Sequence, residues 1–309
     1  MAHDWAPEMR AIVFGANGLV GRRVVNALSM QGHEVVAIAR GERRFAALPS
    51  VAFHSVDLSQ RPQIETIVHQ TKPDVIVNCA AMTDVDGCER DPRAAYSANV
   101  EGVANLCRSA KSASAHLVHI STDYVFDGDR GPYNVDAIPN PRGVYALTKH
   151  MGEQTVRALC EANCWAIART AVVYGWPAAG QKNFGSWLVD SLSKGQSVKL
   201  FVDQHVSPSH AQNVADMVSE IAITKHSGIW HTCGSEIVDR VTFGRALCER
   251  FGFDAALIQP SHMRDVKLLS PRPAHSGLVV DKTRQTLKNQ PLSLIESIDR
   301  FYSEWKASQ

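Results

Sequence analysis

Tyr145 and Lys149 stand four residues apart near the start of a segment with helical periodicity. At this spacing both side chains project from one helix face, one turn apart. A lysine ammonium beside a phenol favours the phenolate, so Lys149 is expected to lower the pKa of Tyr145 from its ordinary value of about 10. The two residues form a candidate proton donor with a tuning cation, although a tyrosine and a lysine at this spacing are a weak signal by themselves.

Two hydroxyl side chains follow a short apolar run upstream of this segment. Ser121 and Thr122 come directly after residues 117–120, which have the composition of a buried strand. Ligands of parallel sheets bind at the carboxyl ends of the strands, so Thr122 is a candidate partner of Tyr145. The longest irregular stretch, residues 121–143, begins here, and long irregular segments in compact domains tend to be functional.

A glycine-rich turn, Gly15 to Gly21, lies between the first apolar run and the first helical segment. In this context the first glycine permits a tight turn, the second lets the backbone approach a pyrophosphate, and the third lets helix pack on strand. The free N–H groups of the helix then bind the anion. The turn predicts a dinucleotide site, with an ordinary strand-to-helix turn as the alternative.

The second predicted strand ends without the acid that would bind the ribose 2′-hydroxyl of NAD. It ends at Ala39 and runs into Arg40, with Arg43 and Arg44 close behind. A guanidinium at this place suits a 2′-phosphate, which favours NADP(H) as the cofactor. The alternative is a solvated arginine-rich loop, above all for Arg43 and Arg44.

Segments typical of strands alternate with segments of helical periodicity in the first part of the chain. The predicted strands are 11–14, 35–39, 51–54, 75–78, 117–120 and 165–168, and the predicted helices are 19–31, 62–70, 95–112 and 144–161. The alternation predicts an α/β fold, a doubly wound parallel sheet of the Rossmann type.

After about residue 175 the alternation is less regular. The predicted helices are 184–193, 213–223, 243–251 and 292–305, and the predicted strands are 198–201 and 229–232. We expect residues 1–180 to form the NADP-binding domain, with return segments at about 210–235. Residues 181–209 and 236–309 would form a smaller C-terminal substrate lobe.

Composition narrows the class of protein. The 32 Lys and Arg residues nearly balance the 31 Asp and Glu residues, which argues against nucleic acid and anionic membranes as partners. No apolar run approaches the roughly 20 residues that span a bilayer, and residues 1–8 lack a signal-peptide core, so a cytoplasmic protein is expected. The seven cysteines include no C-x-x-C pair and the histidines no H-E-x-x-H, which predicts reduced thiols and no metal site.

A longer series of motifs occurs in order along the chain. It comprises GANGLVG, PDVIVNCAAMTDVDGCE, DPRAAYSANVEGVANL, LVHISTDYVFDG, VYALTKHMGE, ARTAVVYG, Asn183-Phe184, DQHVSPS and RPAHSGL. By these motifs the chain resembles the dTDP-4-dehydrorhamnose reductase family of extended short-chain dehydrogenases, from about residue 10 to residue 305. The series is far more specific than either short motif alone.

The resemblance implies a role for individual residues. Thr122 would hydrogen-bond the substrate carbonyl oxygen, Tyr145 would donate its proton, and Lys149 would bind the nicotinamide ribose. Asn99 would support the active site, with a helix cap as the alternative. The implied cofactor-binding residues, besides Tyr145 and Lys149, are Gly15, Asn17, Gly18, Leu19, Val20, Arg40, Asp57, Leu58, Cys79, Ala80, Ala81, Ser121, Ala171 and Val172. The implied substrate-binding residues are Thr83, Asp123, Tyr124, Asn183, Phe184, Gln204, Arg272 and Ser276.

Three positions depart from the family pattern. Val172 stands where the family commonly has a tryptophan next to the sugar, Val135 replaces a usual glutamate, and Ala146 replaces the glycine after the tyrosine. These departures bear on which sugar is bound, and they leave the cofactor and proton-transfer residues intact.

The activity implied is NADPH-dependent reduction of a nucleotide-linked 4-keto-6-deoxy sugar, with Tyr145 as the acid. The partner is a small-molecule nucleotide sugar, and a homodimer is the candidate assembly. One alternative is a nucleotide-sugar epimerase or dehydratase, which shares the fold and the trio but keeps its cofactor bound. Another is a non-catalytic, dinucleotide-binding regulatory subunit like that of methionine adenosyltransferase.

Overall fold

The computed structural model describes residues 8–178 and 180–309. Residues 1–7, on which the expectation about a signal peptide depends, lie outside the described residues, as does Ala179. The strands are β1 (Arg10–Phe14), β2 (Glu34–Ala39), β3 (Val51–Ser55), β4 (Val75–Asn78), β5 (His116–Thr122), β6 (Trp165–Thr170), β7 (Val173–Tyr174), β8 (Val198–Phe201), β9 (His205–Val206), β10 (Ser209–His210), β11 (Gly228–His231), β12 (Val238–Asp239) and β13 (Ile258–Ser261). The α-helices are α1 (Gly21–Met30), α2 (Arg61–Thr71), α3 (Val85–Arg90), α4 (Pro92–Tyr96), α5 (Gly102–Ser112), α6 (Val144–Leu159), α7 (Phe184–Leu192), α8 (Ala211–Thr224), α9 (Arg240–Phe251), α10 (Asp281–Thr286) and α11 (Leu294–Lys306).

A seven-stranded parallel sheet forms the centre of the molecule, in the order β11-β6-β5-β4-β1-β2-β3. Strand β1 shows why helices cover both faces: Ala11 and Val13 pack into one apolar cluster, and Ile12 and Phe14 into the other. The predicted doubly wound α/β fold is confirmed. The strand order reverses between β1 and β4, which opens a crevice at the carboxyl edge of the sheet.

Two later elements return to this sheet. Helix α8 packs on α1, and β11 pairs in parallel with β6, from Gly228 opposite Ala166 to His231 opposite Arg169. The remaining C-terminal elements bury a separate apolar cluster that includes Leu188, Phe243 and Phe301. This second core holds α7, α9 and α11 together, in the part of the chain for which the sequence predicts a substrate lobe.

The predicted helix at 95–112 differs from the structure in a way that affects the site. It consists of α4, a π-helical segment at Ser97–Glu101, and α5. A π segment adds a residue to one turn and so rotates the side chains that follow it, and such segments are frequent at functional sites.

Within residues 8–178 and 180–309, no helix is both long and apolar enough to cross a membrane. In the same part of the chain, no three or more His, Cys, Asp or Glu side chains are grouped as a metal site would require.

Candidate active site

The glycine turn between β1 and α1 is enforced by close backbone contacts. Gly15 has φ +76°, and a Cβ there would lie 2.6 Å from the Ala80 amide nitrogen. A Cβ on Gly21 would lie 2.2 Å from the Gly15 carbonyl oxygen. Both contacts are too short for any side chain, so both glycines are required by the turn itself. The turn borders the crevice through Gly15, Asn17 and Gly18.

A cavity of about 610 Å³ opens beside this turn. It runs from the glycine turn past the ends of β2 and β4, as expected for a dinucleotide site at a topological switch point. The predicted cofactor residues that line it are Gly15, Asn17, Gly18, Arg40, Asp57, Leu58, Cys79, Ala80 and Ala81. Leu19 and Val20 instead form the entry to α1, and Ser121, Tyr145, Lys149, Ala171 and Val172 lie outside the lining of this cavity.

Asn17 organises the loop that carries the arginines. Its side-chain amide donates to the carbonyls of Arg40 (3.2 Å) and Glu42 (2.8 Å), and its Oδ1 accepts from the Arg44 amide (2.8 Å). The Arg40 side chain is 82% exposed, and its Nε lies 3.7 Å from the Asp57 carboxylate. Arg44 also lines the cavity, whereas Arg43 does not. Asn17 therefore positions Arg40 and Arg44, and the two guanidiniums supply positive charge at the mouth of the cavity.

Thr122, Tyr145 and Lys149 lie together where β5 ends and α6 begins. Tyr145 is 8% exposed and Lys149 3% exposed. The Lys149 ammonium donates to the Ile120 carbonyl oxygen at 2.7 Å, which fixes it against β5. The Tyr145 ring meets the Tyr124 ring edge-on, with centroids 5.6 Å apart. The predicted trio is thus brought into one buried group.

The pKa of Tyr145 moves in the direction opposite to the one predicted. Burial raises it above its ordinary value, the neighbouring Thr122 hydroxyl lowers it in part, and the charge of Asp123 raises it further. Burial also lowers the pKa of Lys149 to about 8, although Glu153 and Cys79 both raise it. The expected lowering of the tyrosine pKa by Lys149 is wrong, because the ammonium is bonded to Ile120 and the ring is desolvated. A tyrosine of this kind stays protonated at neutral pH and is ready to donate.

Asp123 holds a network beside Thr122. Its Oδ1 accepts the Thr122 hydroxyl at 3.0 Å and its Oδ2 accepts the Ser276 hydroxyl at 2.5 Å. Burial raises the pKa of Asp123 to about 6, although both hydroxyls lower it. A hydroxyl has one proton, so Thr122 cannot give its proton to a substrate oxygen while it donates to an ionised Asp123.

Asn99 lies inside the π-helical segment and is 1% exposed. Its Oδ1 accepts from the Met82 amide (2.9 Å), and its Nδ2 donates to the Met82 carbonyl (3.1 Å) and the Thr148 hydroxyl (3.1 Å). Thr148 in turn donates to the Tyr145 carbonyl. The alternative of a helix cap is wrong, because the segment is helical on both sides. Asn99 acts on the site through the backbone that carries Tyr145.

A buried ion pair, not foreseen from the sequence, lies one turn beyond Lys149. Arg169 donates from Nε and Nη2 to the two carboxylate oxygens of Glu153, at 2.9 and 2.7 Å, and both side chains are 1% exposed. The guanidinium also lies 5.0 Å from the centroid of the Phe126 ring. Glu153 stands four residues after Lys149 on α6. This spacing was the one sign in the sequence that Glu153 lies beside the candidate site.

The residues predicted to bind the substrate differ in how the structure uses their side chains. Asn183 caps α7 and donates to the Gly175 carbonyl, so its side chain is used within the fold. Arg272 pairs with Asp86 at 3.0 Å and donates to the Ser270 carbonyl. Thr83 is exposed on the segment before α3. Phe184 and the buried Gln204 both contact Arg240, a residue that sequence reasoning missed because it belongs to no recognised motif.

Val172 has an unusual backbone conformation. Its φ is +41°, which is rare for a β-branched residue, and its carbonyl accepts from the Ser209 amide at 3.2 Å. Val172 therefore lies in a strained turn between β6 and β7. Outliers of this kind cluster at functional sites.

The chain is similar to known proteins over most of its length. The family model described as RmlD substrate binding domain matches residues 9–306. A probable low-salt glycan biosynthesis reductase of Haloferax volcanii is 36% identical over 285 residues, which are 90% of this chain and 92% of that protein. A dTDP-4-dehydrorhamnose reductase of Streptomyces griseus is 31% identical over 287 residues, 90% of this chain and 87% of that one.

Two further likenesses bear on function. Methionine adenosyltransferase 2 subunit beta of Bos taurus is 31% identical over 261 residues, 82% of this chain and 75% of that protein. The crystal structure of dTDP-4-dehydrorhamnose reductase from Bacillus anthracis in complex with NADP superposes with a TM-score of 0.85 at 25% identity, and the match covers 96% of this chain and 99% of that one.

Proposed function

Because the chain belongs to the dTDP-4-dehydrorhamnose reductase family, we propose that it reduces the ketone of a nucleotide-linked 4-keto-6-deoxy sugar with NADPH. The observation that carries the proposal is the convergence of Thr122, Tyr145 and Lys149 at the end of β5. The crevice that starts at the glycine turn opens at the same edge of the sheet. Binding and proton-donating residues thus meet at one edge of one sheet.

The residues around the cavity fit NADP(H). Gly15 and Gly18 line the cavity at the turn before α1, where backbone N–H groups can bind a pyrophosphate. Arg40 is exposed and Arg44 lines the cavity, so both can pair with a 2′-phosphate. Bound NADPH would supply the hydride for carbon 4 of the sugar.

The chain's own residues would manage the proton and the charge. Tyr145 donates its proton to the ketone oxygen, and burial keeps the phenol protonated until that moment. Thr122 stabilises the developing negative charge on that oxygen once its hydroxyl is released by Asp123. Lys149, with a pKa of about 8, is cationic at neutral pH and binds the ribose hydroxyls beside Tyr145.

A screen of NADPH oxidation against nucleotide-linked 4-keto sugars tests the proposal. Ketone-dependent oxidation, with NADP released on each turnover, is the expected result. Conversion of the sugar without release of NADP would support an epimerase or dehydratase instead. No oxidation with any sugar of the panel would contradict the reductase function.

A second candidate is a regulatory subunit, and the 31% identity to methionine adenosyltransferase 2 subunit beta favours it. In that case the purified chain would form a stoichiometric complex with a methionine adenosyltransferase catalytic subunit. It would also oxidise no NADPH in the screen. The buried trio favours the enzyme, because a partner protein needs no proton donor in the crevice.

A further inference from the structure

Arg240 is the first residue of α9, and its guanidinium lies inside the substrate lobe. Its Nε donates to Gln204 Oε1 at 2.9 Å, and its Cζ lies 4.7 Å from the centroid of the Phe184 ring. Gln204 itself is 2% exposed. Stacking on a ring and one hydrogen bond fix the plane of the guanidinium, so its remaining N–H groups have a set direction.

The far edge of this guanidinium has no protein acceptor. Arg240 Nη1 is buried and has no hydrogen-bond partner among residues 8–178 and 180–309. In the same part of the chain, Arg240 forms no salt bridge, because no carboxylate oxygen lies within 4.0 Å of its guanidinium nitrogens. A buried donor on a charged group is costly to leave unpaired, which indicates that another molecule completes it.

Arg272 differs from Arg240 in this respect, although the sequence singled out Arg272 alone. Its Nη2 lies 3.0 Å from the Asp86 carboxylate, and its Nη1 donates to the Ser270 carbonyl. The charge of Arg272 is therefore already neutralised within the fold. Burial lowers the pKa of Arg240 and the charge of Arg272 lowers it further, whereas Tyr124 and Asp123 raise it. The Gln204 side chain that holds Arg240 also neighbours the Tyr124 side chain. The Tyr124 ring in turn meets the Tyr145 ring edge-on, so Arg240 borders the group that contains the candidate proton donor.

We propose that Arg240 binds an oxyanion of the nucleotide-sugar substrate, and that Phe184 and Gln204 hold its guanidinium in position for this. The inference rests on the proposed function and deepens it. In the 4-keto-6-deoxy sugar nucleotide proposed above, the diphosphate is the part that carries such an oxyanion. Its oxygens accept paired N–H donors from one guanidinium.

Calorimetric titration of the full chain without NADPH tests the proposal with three matched probes: dTDP, dTDP-glucose and dTDP-glucuronate. For a diphosphate, Arg240→Gln should raise the Kd of all three probes by about 10- to 100-fold, the range for hydrogen bonds to a charged group. A rise confined to dTDP-glucuronate would place the contact on a sugar carboxylate, which a 6-deoxy sugar lacks, and would overturn the proposal. Arg245→Gln is the matched control, because Arg245 is exposed on the same helix and should leave every Kd unchanged.

Arg240→Lys covers the case in which the glutamine variant does not fold. It keeps the charge but loses the paired donors, so its Kd should lie between those of the wild type and the glutamine variant. Equal Kd values for the wild type and either folded Arg240 variant with all three probes would overturn the proposal, as would a wild type that binds none of them. The titrations need no turnover. Arg240-dependent binding in a chain that reduces no keto sugar would therefore refute the reductase function and leave this inference intact.

Discussion

Thr122 donates its hydroxyl hydrogen to Asp123 over 3.0 Å, and Ser276, 153 positions further along the chain than Asp123, donates to the other oxygen of the same carboxylate. The Thr122 oxygen also accepts from the Tyr124 amide at 3.2 Å. Thr122 can therefore donate its proton to a substrate only when Asp123 is protonated and no longer accepts that proton. This relationship couples the protonation state of a buried carboxyl to the chemistry next to it.

The first prediction concerns the pH dependence of turnover. Burial raises the pKa of Asp123 to about 6, so the carboxyl is protonated below that pH and ionised above it. Protonated Asp123 frees the Thr122 hydroxyl, and we expect kcat/KM to fall as pH rises through about 6. A profile of kcat/KM from about pH 5 to about pH 8 reports this ionisation in the free enzyme.

Asp123→Asn should remove that step, because an amide cannot ionise and can donate to the Thr122 oxygen. The variant should keep its kcat/KM at pH values above about 6, where that of the wild type falls, and its Kd for NADPH should be unchanged. A wild-type profile that is flat through about pH 6, or an identical step in the variant, would show that Thr122 and Asp123 are not coupled in this way.

The second prediction concerns Lys149. Burial lowers its pKa to about 8 from the ordinary lysine value of 10.5, so the ammonium loses its charge at a lower pH than an exposed lysine does. The Kd for NADPH should rise as pH increases through about 8. Lys149→Arg keeps its charge throughout this range and should show no such rise when NADPH is titrated by fluorescence, even if its affinity is lower overall. An unchanged wild-type Kd up to about pH 9.5 would contradict the assignment of Lys149 to the cofactor.

The third prediction concerns the buried pair of Glu153 and Arg169. Glu153→Gln leaves the Arg169 guanidinium buried without its counter-charge, and this should lower the free energy of unfolding by about 3–5 kcal/mol. Glu65→Gln is the control: it breaks the exposed pair of Glu65 with Arg61 and should cost at most about 1 kcal/mol. Urea denaturation measures both. Equal losses of unfolding free energy in the two variants would mean that burial does not strengthen the pair of Glu153 and Arg169.

Glu153 also raises the pKa of Lys149. In Glu153→Gln the lysine should therefore lose its charge at a lower pH than in the wild type. The same NADPH titration detects the shift, provided that it is made below the temperature at which the variant unfolds.

The fourth prediction concerns the choice of cofactor. Arg40→Ala should raise the Kd for NADPH by about tenfold or more, the loss expected for a hydrogen-bonded charge pair, and should leave the Kd for NADH nearly unchanged. Arg43→Ala is the matched control, because Arg43 is exposed on the same loop and does not line the cavity. Similar wild-type affinities for the two cofactors would indicate that the arginines form only a solvated loop.

Much of the fold could be predicted from the sequence because its signals are local. The apolar runs of the central sheet and the glycine turn each depend on residues close together in the chain, and the strands occur within one or two residues of their predicted bounds. Short strands such as β9 and β12 were missed. They contain two residues each and depend on antiparallel pairing with one another, between segments more than 30 residues apart.

The remaining site features depend on contacts between distant residues. The bond between Asp123 and Ser276 joins two motifs far apart in sequence, and Arg240 is recognisable only from its enclosure by Phe184 and Gln204. The pKa of Tyr145 was predicted in the wrong direction, because the spacing to Lys149 gives no information about desolvation. Burial of a titratable group is a tertiary property, and no local pattern supplies it.

The most direct test of the central claim follows the hydride and the proton separately. NADPH carrying deuterium at both positions of carbon 4 of the nicotinamide is mixed with a nucleotide-linked 4-keto-6-deoxy sugar and either the wild type or Tyr145→Phe. We predict that the wild type places one deuterium on carbon 4 of the sugar and releases NADP. In Tyr145→Phe the rate should fall by about 10²- to 10⁴-fold, the usual contribution of a general acid, with the NADPH Kd nearly unchanged. A sugar product without deuterium, or a phenylalanine variant as fast as the wild type, would contradict the account.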